Sequence, residues 1–183
     1  MPTINKPIVL ASGDSVELLE TSAMTRGAYT RARFVFAAGG LRVPAHIHPL
    51  QDEKLEIAAG KLTYYLAGKK HVAEAGTTIL LPRGIGHQHH SEDSEAAVVT
   101  QTMTPGLDFD YLLENLFGLG SEGRLQGFRY FVYLTVILGK MKSAFVGTNL
   151  PIWFQKIVAR IVTPILYLFG YRAVNKRFSG EEW

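Results

Sequence analysis

The 183-residue chain contains no cysteine. Disulfide bridges and thiolate metal sites are therefore excluded, which fits a reducing compartment. Long apolar runs are also missing. Tyr130 to Gly139 and Ile161 to Tyr171 are uncharged stretches of ten and eleven residues, whereas a membrane span needs about twenty. The start, Met1-Pro2-Thr3-Ile4-Asn5-Lys6-Pro7, lacks the apolar run of a signal peptide, so a cytoplasmic protein is expected. No Gly-rich phosphate loop, nucleophile elbow or repeat of solenoid length is found. Finally, acids are missing from residues 124–180, which carry nine Lys/Arg, while residues 1–123 carry ten Lys/Arg and fourteen Asp/Glu. The formal charge of +3 thus divides into an acidic first part and a basic last part.

What is present begins with strand patterns. Thr30 to Phe36 alternates polar with small or apolar residues. Ser15 to Glu20, Glu53 to Ala59, Leu62 to Leu66, Thr77 to Leu81 and Ala96 to Met103 are further strand candidates. Turn signals lie between them at Ser12-Gly13-Asp14, Gly39-Gly40, Gly68-Lys69 and Ser91-Glu92-Asp93. Many short strands with regular turns indicate a sandwich or barrel over residues 1–104. Thr104-Pro105-Gly106 marks a boundary, and helical patterns follow. The first runs from Leu107 to Phe117, with Asp108 and Asp110 in its first turn and Gly118 after its end. Gly127 to Leu138 and Asn149 to Phe169 are the second and third, and Pro164 should break or kink the last near Thr163.

Two segments carry chemistry. One is Gly40-x5-His46-x-His48-x4-Glu53-x6-Gly60; the other is Gly76-x5-Pro82-x-Gly84-x2-His87. Side chains at i and i+2 of a strand share a face. His46 and His48 therefore project together if Leu41 to His48 is extended, with Ile47 turned away. Pro44 places that segment at a sheet edge or bend, and Pro49 ends it. Glu53 opens the next strand and can reach back. Pro82-Arg83-Gly84 turns the chain so that His87 begins another strand. Three neutral imidazoles with one carboxylate suit Fe, Mn, Ni, Cu or Zn and disfavour the all-oxygen ions Ca and Mg.

At these residues the sequence resembles the cupin superfamily. Both motifs of that family are complete except at one position: where the family often has Asn four residues after the last histidine, this chain has Ser91. The resemblance covers roughly residues 28–104. It implies a jelly-roll β-barrel with metal ligands His46, His48, Glu53 and His87. It implies no single reaction, since the superfamily includes dioxygenases, isomerases, sugar-binding domains and storage proteins.

The expected architecture is thus mainly β: a barrel domain over residues 1–104 and an apolar, basic helical extension over residues 105–183. Three readings of the extension stand side by side. Its helices pack on the barrel, cap its mouth or form a dimer interface, as mostly apolar helices usually do. Alternatively they attach peripherally to an anionic membrane. Nucleic-acid binding is disfavoured, because the basic residues alternate with large aliphatics and no recognition motif is present. A homo-oligomer, most simply a dimer, is expected from the apolar surface.

Beside the metal-type residues, His89 follows His87 by two and shares its face, which makes it the candidate proton acceptor. Gln88 and His90 should face the other way. Tyr64 is the candidate hydrogen-bond donor to a bound substrate. His71 falls in a Gly-Lys-Lys-His turn region and should be exposed. Leu55 and Ile57 should share the inward face with Glu53, leaving Lys54 and Glu56 outside. Two functions fit: a mononuclear metal enzyme acting on a small organic molecule, as a dioxygenase or isomerase, and a non-catalytic module that binds or senses a small ligand.

Overall fold

The computed structural model describes residues 1–91 and 94–183. The expected turn at Ser91-Glu92-Asp93 lies partly outside the described residues, at Glu92 and Asp93. Two antiparallel sheets form the jelly roll. The first joins β1 (Ile8–Val9), β2 (Ser15–Glu20), β3 (Thr30–Phe36), β10 (Ala97–Thr104), β5 (Asp52–Ala59) and β8 (Thr78–Leu81), in that spatial order. The second joins β11 (Val146–Gly147), β4 (His46–Ile47), β9 (His87–His90), β6 (Lys61–Leu66) and β7 (Lys69–Glu74). Among the described residues, four helices follow β10: α1 (Phe109–Ser121), α2 (Phe128–Lys140), α3 (Ile152–Leu168) and α4 (Lys176–Ser179). No helix of the described residues is long and apolar enough to cross a membrane.

Period-two alternation sorts the strands as their sequences dictate. In β5, Glu53, Leu55 and Ile57 are buried, while Lys54 and Glu56 are partly exposed. In β10 the inward row is Ala97, Val99, Gln101 and Met103. In β3 it is Thr30, Ala32, Phe34 and Phe36. A one-residue slip of any of these strands would turn its buried row to solvent, which fixes the register.

Several local expectations are corrected. The segment before His46 is not strand: only His46–Ile47 enters a ladder. Pro44 and Pro49 bracket it, and the Leu41 N–H instead donates to Oδ2 of Asp14 at 2.7 Å. His71 sits within strand β7 rather than in a turn, though it is exposed as expected. The turn that makes this possible is Ala67-Gly68, with φ of 49° and 80°. Two successive positive φ values give the tight hairpin that matches strand twist. Helix α1 continues past Gly118 to Ser121. A Cβ on Gly118 would lie 2.6 Å from the Phe178 ring, so this glycine is a packing notch for that side chain and not a helix stop. Asp108 precedes α1 but makes no side-chain cap. Helix α3 runs through Pro164 to Leu168. The amide that Pro164 lacks would have bonded the carbonyl of Arg160, an exposed residue whose carbonyl can be hydrated, and only the final turn lies beyond it.

The extension is joined to the barrel by one apolar core. Phe109, Leu112, Val136, Ile137, Met141 and Ala144 belong to the same buried cluster as Leu55, Leu62 and Leu81. The extension also supplies a strand. β11 pairs with β4, placing Gly147 opposite His46.

Candidate metal centre

Each metal-type residue is delivered by a different piece of this framework. His46 lies directly across from His87 in the β4–β9 ladder. His48 follows one residue beyond β4, on the same side as His46. Glu53 comes from the other sheet, at the inward start of β5. Arg83 holds the two motifs in step: its backbone N–H donates to Asp52 at 2.9 Å and its guanidinium pairs with the same carboxylate. That contact keeps the Asp52 carboxyl below the usual carboxylate range. Gly60 is required where β5 turns into β6. Its φ is 70°, and a Cβ there would overlap the Ala96 carbonyl.

The four side chains converge. One ligand-type atom from each of His46, His48, Glu53 and His87 lies within 4.8 Å of the others, and all four residues are buried. The His46 and His87 rings are 4.5 Å apart between centroids, and His46 and His48 are 4.9 Å apart. Backbone carbonyls fix two of the tautomers. His46 Nδ1 donates to Pro44 at 2.8 Å and His87 Nδ1 to Ile85 at 2.9 Å. Each ring therefore presents the lone pair of Nε2 inward. The backbone of Ser143 approaches the His48 ring, without a well-directed hydrogen bond to Nδ1.

Glu53 is oriented by a residue the sequence reading missed. Gln101 Nε2 donates to Glu53 Oε1 at 2.7 Å. Oε2 is left facing His87 Nε2 at 3.1 Å and His48 Nε2 at 3.7 Å. Neither Glu53 Oε2 nor His87 Nε2 has a hydrogen-bond partner, although both are fully buried. Buried polar atoms left unpaired are costly. Here they are two lone-pair donors aimed at a common point, the arrangement that a cation satisfies.

Electrostatics prepare the same state. Burial holds His46 well below its ordinary value and lowers His48 to about 4. Both rings are thus neutral near pH 7, the form that binds a metal. Burial also acts to lower His87, but the adjacent Glu53 carboxylate outweighs it and the net shift is upward. For Glu53 burial acts to raise the pKa. The contact with His87 and electrostatic coupling to the His89 and His48 rings prevail, holding the carboxyl well below the carboxylate range. A nitrogen-rich, cysteine-free donor set, with the tautomers of His46 and His87 fixed, fits a divalent Fe, Mn, Ni, Cu or Zn ion.

The cluster opens onto a cavity of about 370 Å³ between the barrel and α1. Its walls are mostly apolar, with Phe34, Phe36, Phe109, Leu113, Phe117 and Phe145 prominent. His46, His48, His89 and Gln101 form its polar end. The cavity reaches the surface near Ser12, Gly123 and Gln126, which are exposed. Two rings from the extension touch the cluster directly: Phe145 lies 5.1 Å from His46 and Phe109 lies 5.9 Å from His48.

The remaining candidates separate. His89 is buried at the polar end, its Nδ1 unpartnered and 3.9 Å from Glu53 Oε1, with Phe36 edge-on at 5.2 Å. Burial lowers its pKa. Tyr64 pairs with His89 across the β6–β9 ladder but does not line the cavity; its ring stacks on His71 at 5.0 Å. His90 turns away from the cluster to stack on Tyr65. The signal for Gln101 was the single amide in an otherwise apolar inward row of β10. Phe109 and Phe145 carried no comparable signal.

Residues 32–103 match the cupin domain family. Among solved structures, the chain is similar to KdgF from Halomonas sp., with 16% identity and a TM-score of 0.50, over 60% of this chain and 96% of that one. It is also similar to the cupin domain of Schizosaccharomyces pombe Cnp3, with 14% identity and a TM-score of 0.46, over 50% and 61% of the two chains. An oxalate oxidase matches at 27% identity and a TM-score of 0.45, over 57% of this chain and 58% of that one. No curated protein sequence matches the chain. The likeness to KdgF bears on the fold alone. With its two motifs, its two facing sheets and the family match over residues 32–103, the chain carries a cupin-like jelly-roll barrel followed by a C-terminal helical extension.

Proposed function

We propose that His46, His48, Glu53 and His87 hold one divalent transition-metal ion, and that the protein oxidises a small organic molecule with an apolar body seated in the adjoining cavity. The observation that carries this reading is the set of buried, unpaired lone pairs converging at one end of an apolar chamber. When bound, the ion supplies Lewis acidity toward a substrate oxygen and, as Fe, Mn, Ni or Cu, electron transfer with dioxygen.

The chain's own residues do the rest. Phe34, Phe36 and Phe117 bind the apolar body and exclude water. Phe109 and Phe145 limit which way a ligand can approach the histidines. Gln101 holds Glu53 by one oxygen, so that the other remains available to the ion. His89, with its free Nδ1 at the chamber's polar end, accepts the proton of an enol or acidic C–H substrate.

A second reading is binding or sensing without turnover. It draws on the scarcity of acid–base groups in the chamber. Among the described residues, His89 is the one lining histidine outside the set of four, and the Asp14 carboxylate is engaged by the backbone N–H groups of Ala37 and Leu41. Metal analysis of protein purified without chelator, followed by oxygen-uptake assays with apolar enolic compounds, separates the two. Stoichiometric redox-active metal with substrate-dependent oxygen consumption supports oxidation. Saturable ligand binding with no oxygen consumption supports the sensor. Protein that takes up no metal defeats both metal-dependent forms.

A further inference from the structure

Helix α3 buries only Ala159 and Thr163. Its inner edge meets α2 closely, where a Cβ on Gly139 would overlap Thr163. The opposite side is uncovered and almost entirely apolar. Trp153 is 65% exposed, Ile157 50%, Ile161 65%, Ile165 53% and Leu168 86%. At 100° per residue these positions fall on one half of the helix, with Phe154 and Val158 beside them. An apolar face of this extent on one helix marks a contact surface.

The charge around it selects the partner. Residues 124–180 contain no acid. Arg160 is exposed at the border of the face, and Lys156 lies one turn before it. No described acid pairs with Lys156, Arg160 or Arg129, whereas Arg172 and Arg177 are matched by Glu182 and Glu122. An isologous pairing through this face would add the positive charges of a second Lys156 and Arg160, with no acid in residues 124–180 to offset them. An anionic surface offsets them directly. Trp153 supplies the amphipathic ring that settles at such a boundary. The helix is not long and apolar enough to cross a bilayer. We infer that α3 lies flat on anionic membranes, with Trp153, Ile157, Ile161, Ile165 and Leu168 inserted among the lipid chains and Lys156 and Arg160 at the level of the phosphates.

The test is flotation of the full chain with vesicles of equal parts phosphatidylglycerol and phosphatidylcholine, against vesicles of phosphatidylcholine alone. Trp153 fluorescence should shift to the blue only with the anionic vesicles, and binding should weaken as salt rises. The double variant Ile157→Ser, Ile161→Ser should lower partitioning at least about tenfold. Both positions are solvent-exposed, so its melting midpoint and metal content should match the parent's. Failure of the parent to float overturns the inference. So does a concentration-dependent dimer that the double variant abolishes while vesicle binding stays absent, since the face would then belong to a second copy.

Discussion

Gln101 on β10 and Glu53 on β5 meet through a single 2.7 Å hydrogen bond from amide to carboxylate, and that bond decides which oxygen of Glu53 faces the histidines. The two strands are neighbours in one sheet, paired so that Gln101 stands opposite Leu55 and Met103 opposite Glu53. The amide thus reaches Glu53 diagonally along the buried face. Such outer contacts typically matter 10- to 100-fold in metal affinity. Gln101→Leu keeps the volume and removes the donor. It should weaken metal binding by about that factor in competition with a chelator, while the metal-free melting midpoint changes little. An affinity equal to the parent's would show that Glu53 holds its orientation unaided.

His48→Ala should cut metal content sharply. The ring is buried but lies beyond the end of β4, outside any ladder, so the barrel should keep its circular dichroism. Glu53 and His87 would remain as a pair, with His46 beside them. Unchanged metal stoichiometry would remove His48 from the ligand set.

The extension reaches the site through Asp108. Its carboxylate accepts the backbone N–H groups of Lys142 and Ser143 at 2.9 and 2.7 Å. These two bonds hold the segment that carries Phe145 against His46. Asp108→Ala should release that segment while leaving the four metal-type residues in place. Metal affinity should stay within about threefold, because none of those residues is touched, and the affinity for an apolar cavity ligand should fall by about tenfold or more, as expected when two charge-assisted hydrogen bonds are lost. The calorimetric comparison of the two affinities is the check. Equal losses in both would mean that Asp108 supports the whole barrel rather than this flap.

Much of this was legible in the sequence, for reasons particular to each element. β2 and β3 were readable to the residue because alternation and flanking glycines leave one register. The four metal-type residues were readable because their spacing, glycines and proline form a joint pattern that few other folds require. Gln101 was not, since its role depends on which strand lies beside β5, and pairing between distant strands leaves no local trace. β11 and Phe145 escaped for the same reason: a two-residue strand contributed by the extension has no periodicity of its own. Gly118 misled because a glycine after an apolar helical run has two uses, ending the helix or admitting a neighbour. Only the Phe178 ring distinguishes them.

Acid should destabilise the metal-free protein, and the window follows from the histidines. His46 is held well below its ordinary value and His48 falls from 6.5 to about 4, both chiefly through burial. Between those pH values the unfolded chain binds protons that the folded chain refuses, so stability declines as pH falls through the window. At about 1.4 kcal/mol per unit, His48 alone accounts for roughly 3 kcal/mol by pH 4. Glu53, with its lowered pKa, adds a loss of the same sign at still lower pH, where the unfolded carboxyl protonates first. His87 acts oppositely: its raised pKa gives stability below 6.5 that is lost as pH rises through the folded value. Below 6.5 the His87 contribution is already complete and constant, so the slope there follows His46 and His48 and the melting midpoint should drop from pH 6.5 to 4. His48→Gln, which cannot be protonated, should flatten part of that slope. A midpoint constant across the window in the parent protein would contradict the burial of neutral imidazoles at this centre.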